Sequence, residues 1–181
     1  MNINKFTQKS MEAVQNCEKL AYEFGNQEID QEHLLKSLID QEDGLILKLI
    51  EKMEINTAHF SNRVTEDLNK KVKVQGGDLR ISNDLNKVLI TAEDEAKAMG
   101  DEYVSVEHLF LSLLKYPNKA MKELFKEYGI TRDRFLTALS TVRGNQRVTS
   151  DNPEATYDTL QKYGTDLVEK ARSQKLDPVI G

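Results

Sequence analysis

Three histidines and one cysteine are the side chains of this 181-residue sequence best suited to metal or nucleophilic chemistry. His33 and His108 each follow a glutamate and precede a leucine. Neighbouring residues on a helix point about 100° apart, whereas helical metal ligands need a spacing of three or four. No His-Glu-x-x-His occurs. The Glu-His pairs therefore read as structural: a histidine packed where helices meet, and a glutamate complementing the positive end of a helix dipole. His59, beside Phe60, reads as a surface residue. Cys17 lies on an apolar helix face, and the residue 75 positions on is Ala92. That equivalence points to a small buried side chain rather than a nucleophile. Neither Gly-x-Ser-x-Gly nor a Gly-x-x-x-x-Gly-Lys-Ser/Thr phosphate loop is present, and both would be needed for their respective chemistries. No catalytic, metal or cofactor site is expected within the chain.

The elements that carry these residues occur twice. Glu32-His33-Leu34-Leu35-Lys36-Ser37-Leu38-Ile39 returns 75 residues later as Glu107-His108-Leu109-Phe110-Leu111-Ser112-Leu113-Leu114. The same offset relates Glu18, Ala21 and Gly25 to Glu93, Ala96 and Gly100, and Leu49, Ile55 and Phe60 to Leu124, Ile130 and Phe135. Phe6-Thr7 corresponds to Ile81-Ser82, Val14 to Leu89, and Ile29-Asp30 to Val104-Ser105.

In the first unit, Thr7 is placed to cap a helix whose face carries Val14, Cys17, Leu20, Ala21 and Phe24, and Gly25 ends it. Asp30 caps the helix bearing the motif, a turn at Glu42-Asp43-Gly44 leads into a short helix over Leu45–Met53, and Asn56 caps a fourth. In the second unit Ser82, Ser105 and Thr131 take the capping positions, with a third helix expected over Met121–Tyr128. Lys70–Arg80, with Gly76-Gly77, reads as a loop. Each unit is small for an independent core, so the halves should pack together. The expected fold is all-α, a pseudo-twofold bundle of about eight helices from two four-helix repeats, about 6–70 and 81–143. A polar linker over 144–155 and one amphipathic helix over about 156–174 follow. Ending just after Pro178-Val179-Ile180 points to a piece of a longer protein.

A net charge of −5 argues against nucleic acid, which calls for a basic face. No apolar run approaches the roughly 20 residues that cross a bilayer, so no membrane partner is expected. The lone cysteine and the absence of a signal-peptide apolar core point to the cytoplasm.

The duplicated unit, with Phe6-Thr7 opening its first helix and Glu-His-Leu in both second helices, resembles the N-terminal domain of the Clp family of AAA+ unfoldases. Gln146-Arg147-Val148-Thr149, then Pro153-Glu154-Ala155-Thr156-Tyr157 and Leu160-Gln161-Lys162-Tyr163-Gly164-Thr165-Asp166-Leu167, are similar to the approach to the first nucleotide-binding domain in the ClpB disaggregase branch. Lys175-Leu176-Asp177-Pro178-Val179-Ile180-Gly181 is similar to that domain's entry motif. The resemblance implies a Clp N-terminal domain over 1–143, a linker over 144–155, and the start of the first AAA+ domain over 156–181. It implies a parent that is a hexameric, ATP- and Mg-dependent disaggregase working with a DnaK-type chaperone. This piece, no enzyme itself, would capture unfolded or aggregated polypeptides for threading. The alternative is an adaptor-docking N-domain of a protease-associated Clp unfoldase. The family's substrate-contacting groove maps onto Thr7, Asp101 and Glu107, with Leu89 as an apolar candidate. Position 108 departs from relatives that carry an apolar residue there, leaving the apolar contact of His108 in question. Val179 and Ile180 match residues that flank adenine in the complete parent.

Overall fold

Helices begin where a side-chain oxygen can accept from an amide of the first turn, because those amides have no partner within the helix. Thr7 does this for Ser10, Asn56 for His59, Ser82 for Leu85, Asn118 for Met121 and Thr131 for Arg134. The computed structural model describes residues 3–154. After a 3-10 turn at Ile3–Lys5, the elements are α1 (Gln8–Glu23), β1 (Glu28–Ile29), α2 (Gln31–Ile39), α3 (Leu45–Lys52) and α4 (Thr57–Asn69). The second unit supplies β2 (Arg80–Ile81), α5 (Asn83–Ala98), α6 (Val106–Lys115), α7 (Lys119–Tyr128) and α8 (Arg132–Arg143). The fold is all-α, and among the described residues α1–α8 fall in two sets of four, as the repeat predicts. The helix 156–174, with Val179 and Ile180, lies outside the described residues.

Two boundaries and two strands differ from the sequence reading. The third helix of the second unit starts at Lys119 rather than Met121, since Asn118 caps it, and α3 ends one residue early at Lys52. β1 and β2 pair in parallel, Ile29 opposite Ile81, across the two halves. The pair has an image 75 residues along: Phe6 bridges Val104 in parallel. Thr7 N donates to Val104 O at 2.9 Å and Ser82 N to Ile29 O at 2.9 Å. The start of each half's first helix is thereby stitched to the loop that precedes the other half's motif helix.

The motif helices α2 and α6 lie at the centre. Leu34, Leu35 and Leu38 are fully buried in α2, as are Leu109, Phe110, Leu111 and Leu113 in α6. Burying such side chains contributes roughly 1.5–3 kcal/mol each. Phe110 stacks on Phe135 with ring centroids 4.5 Å apart. Each motif helix is also tied to the first helix of its own half: Ser37 Oγ donates to Ala13 O at 2.7 Å, and Ser112 Oγ to Val88 O at 2.8 Å. α3 packs on α6 and α8 across the seam. Gln31 bridges the halves as well, with Nε2 donating to Asp84 O and Tyr116 O. Gly25, φ 71°, closes α1 in the left-handed conformation expected of such a stop.

Candidate functional site

Both histidines of the repeated motif sit at the third position of their helices and are fully buried. His33 Nδ1 accepts the amide of Asp30 at 2.9 Å, and its other nitrogen meets Asn26 Oδ1 at 2.9 Å. His108 Nδ1 accepts the amide of Ser105 at 2.8 Å, and its Nε2 meets Asp101 Oδ2 at 2.6 Å. In each ring the hydrogen therefore sits on Nε2. This is a capping box in which imidazole plays the part usually taken by Glu or Gln. Burial, joined by the positive charge of Lys71, depresses the His33 pKa to about 4. Cys17 is buried, and its thiol is pushed up to about 12 by that burial, which fits a packing role. His59 is exposed, beside Tyr128. Among the described residues no group of histidine, cysteine and carboxylate side chains could hold a metal ion.

The two halves surround these boxes differently. In the first, the Asp30 carboxylate accepts the first amide of α2, Gln31 N, at 2.8 Å and the Ser82 hydroxyl at 2.8 Å. Lys71 bridges Asp30 and Glu32 at 3.3 and 3.0 Å, and Asn118 donates to Glu32 at 2.9 Å. Burial acts to raise the Asp30 pKa, but the Gln31 amide, the Ser82 hydroxyl and Lys71 outweigh it, and the net shift is downward.

In the second half, Asp101 takes the place of Asn26 and a buried Arg143 takes the place of Leu68. Arg143 pairs with Asp101 and reaches Glu107 Oε2 at 3.4 Å. Asp101 also accepts the Val148 amide at 2.9 Å. Against the upward pull of burial, hydrogen bonds from His108, Val148 and Arg143 hold this carboxyl below its usual range. Position 105 is serine, so the carboxylate that Asp30 supplies in the other half is missing. Glu154 supplies one: its Oε2 accepts the Thr7 hydroxyl at 2.8 Å and the Val106 amide, the first of α6, at 3.2 Å. Burial, and next the charge of Glu107, raise its pKa to about 7.

Thr7, Asp101, Glu107 and His108 are thus brought together around the starts of α1 and α6, all of them buried. Beside them opens a groove of about 330 Å³ whose lining includes Lys9, Leu45, Lys48, Val106, Val142 and Glu154. Leu89 lies elsewhere, in a furrow of about 210 Å³ between α1 and α5 that also takes in Val14, Ile81 and Leu85. Ile81 is 48% exposed there, whereas Leu89 is 1% exposed. Arg143 and Glu154, central to the cluster, are not apparent from the sequence: a basic residue ending a helix and an acid after a proline both read as solvated.

The Clp repeat N-terminal domain family model matches residues 5–128. This chain belongs to the Clp N-terminal domain family. Its whole length aligns at 46% identity with the chaperone protein ClpB of Nitratidesulfovibrio vulgaris, and at 41% with that of Bacillus anthracis. It spans only 22% and 21% of those relatives. The crystal structure of the Hsp104 N-terminal domain from Candida albicans is 26% identical, with a TM-score of 0.73 over 83% of this chain and 99% of that one. No helix among the described residues is long and apolar enough to cross a membrane.

Proposed function

We propose that this chain is the polypeptide-capturing N-terminal domain of a ClpB-type disaggregase, and that the groove at the starts of α1 and α6 takes non-native segments. The observation that carries the reading is the groove itself. It joins apolar walls, Leu45, Val106 and Val142, to a charged rim, Lys9 and Lys48, in a domain whose full length aligns with ClpB chaperones. Apolar walls would take hydrophobic side chains, and the rim would tolerate varied neighbours, so binding would be broad rather than sequence-specific. A groove of this size buries little area and an extended ligand loses conformational entropy on ordering, so affinity is micromolar or weaker. In the parent, a hexamer with ATP and Mg in its AAA+ domains and a DnaK-type chaperone as collaborator in the cytoplasm, several such domains would add avidity.

The test is titration of the isotopically labelled chain with reduced, carboxymethylated α-lactalbumin, followed by amide NMR. Saturable shifts at Leu45, Val106 and Val142, and near Thr7 and Glu107, are expected. Saturation with shifts confined to other surfaces refutes the groove. Binding of a folded adaptor protein but of no unfolded chain refutes capture in favour of docking.

A further inference from the structure

The sequence after α8 reads as a free linker, yet it is seated on the domain. Val148 is fully buried, its amide held by Asp101 and its carbonyl accepting Glu102 N at 2.8 Å. Farther on, Asp151 O accepts the amide of Gln8, the first residue of α1, at 2.7 Å, and Asp151 Oδ2 accepts Gln8 Nε2 at 3.2 Å. Glu154 then closes over Thr7 and Val106.

The repeat explains why Glu154 fits there. Thr7 and Val106 correspond, 75 residues apart, to Ser82 and Gln31. In the first half that hydroxyl and that amide both donate to one carboxylate oxygen, Oδ1 of Asp30. In the second half the same two donors are present, the capping residue carries no carboxylate, and that place is filled from 49 residues away in sequence, Ser105 to Glu154.

We propose that residues 148–154 form a latch acting in cis, with Glu154 standing in for the carboxylate absent at Ser105 and covering the Thr7–Val106 end of the capture groove. Segment and captured polypeptide then compete for the same end. The seating carries a cost: among the described residues, Oε1 of Glu154 and Oε1 of Glu107 are both buried without a hydrogen-bond partner. The competition rests on the capture function proposed above, whereas seating of the segment does not.

Gln8 gives a direct readout. As the first residue of α1, its amide has no partner within the helix, so slow hydrogen exchange there reports the bond to Asp151 O. Three variants of the full 181-residue chain separate the possibilities. Glu154→Ala removes the occupant, and Ser105→Asp supplies the missing carboxylate locally and evicts it. Glu154→Gln keeps an oxygen able to accept from Thr7 and Val106. Exchange of Gln8 should rise about tenfold in the first two, the factor expected for one lost net hydrogen bond, and stay near wild type in the third. In parallel, the Kd for reduced, carboxymethylated α-lactalbumin should fall severalfold for Glu154→Ala and Ser105→Asp only. Equal Gln8 exchange in all four proteins, or unprotected Gln8 in the wild type, overturns the latch. Faster exchange with unchanged Kd overturns the competition. Absence of binding by every protein instead overturns capture, with the exchange data still deciding whether the segment is seated.

Discussion

His33 is fully buried with both ring nitrogens engaged, so a second proton has nowhere to go without opposing the Asp30 amide. Burial and Lys71 depress its pKa to about 4 from the ordinary 6.5. The sign follows: the unfolded chain binds the proton more readily, so this contribution to stability is complete above 6.5 and is lost as pH falls toward 4. The gap between the two values limits the loss to about 3 kcal/mol, of which about 2 kcal/mol is gone by pH 5. His33→Gln is the informative change, because glutamine at the third helical position can still accept the capping amide but does not titrate. At about pH 7.5 it should cost about 1 kcal/mol through the lost bond to Asn26. Urea unfolding of both proteins at about pH 7.5 and about pH 5 then gives the test. The loss of stability between the two conditions should be smaller by about 2 kcal/mol in the variant. Equal losses would refute the assignment of His33 as a buried, neutral capping residue.

Two further substitutions follow from the divergence of the repeats. Asp101→Asn removes the charge of the carboxylate paired with buried Arg143 and should destabilise by about 3–5 kcal/mol in chemical unfolding. Adding Arg143→Leu, which restores the Asn26–Leu68 arrangement of the first half, should recover about half of that in a double-mutant cycle. Glu54 holds a left-handed φ of 64°, and its counterpart is Gly129, also at φ 64°. Glu54→Gly should therefore stabilise by about 0.5–1 kcal/mol, raising Tm by about 2–4 °C.

Much of this architecture is legible from residues alone because helices announce themselves locally. Thr7, Asp30, Asn56, Ser82, Ser105 and Thr131 all stand at the helix starts that their capping chemistry predicts. The duplication made each half a check on the other. The two-residue strands were not legible: their register is set by the other half's helix start, and a pair of residues carries no periodicity. Nor was the role of the histidines. His33 and His108 can be placed at helix starts, each three residues after its cap, but that spacing is ordinarily read for Glu or Gln, so it does not point to an imidazole as the acceptor. Thr7, Asp101, Glu107 and His108 do converge, yet as a buried cluster whose cation, Arg143, looks from the sequence like an ordinary complement to a helix C-terminus. Leu89 falls in a different furrow.

The differences between the halves fit one another structurally. With asparagine at 26, the first half leaves His33 a neutral partner, and its charges, Asp30 and Glu32, are met by Lys71 at the partly open edge. With aspartate at 101, the second half buries a full charge and requires a buried cation, which Arg143 supplies at the end of α8. Arg143 also donates to Gln146 O at 2.9 Å and so fixes the turn that leads to Val148. That turn delivers Glu154 to the seat that Ser105 leaves open. Asp101, Arg143 and Ser105 thus differ from Asn26, Leu68 and Asp30 in a mutually consistent way: the charge buried at 101 is met by Arg143, and the carboxylate absent at 105 comes from outside the repeat. The first half is complete within the duplicated bundle, while the second is completed by the segment that follows α8. On the proposed latch, a ligand that displaces this segment from the groove would free residues 148–154 in the same event, so occupancy of the groove and seating of the segment would be coupled by one carboxyl group.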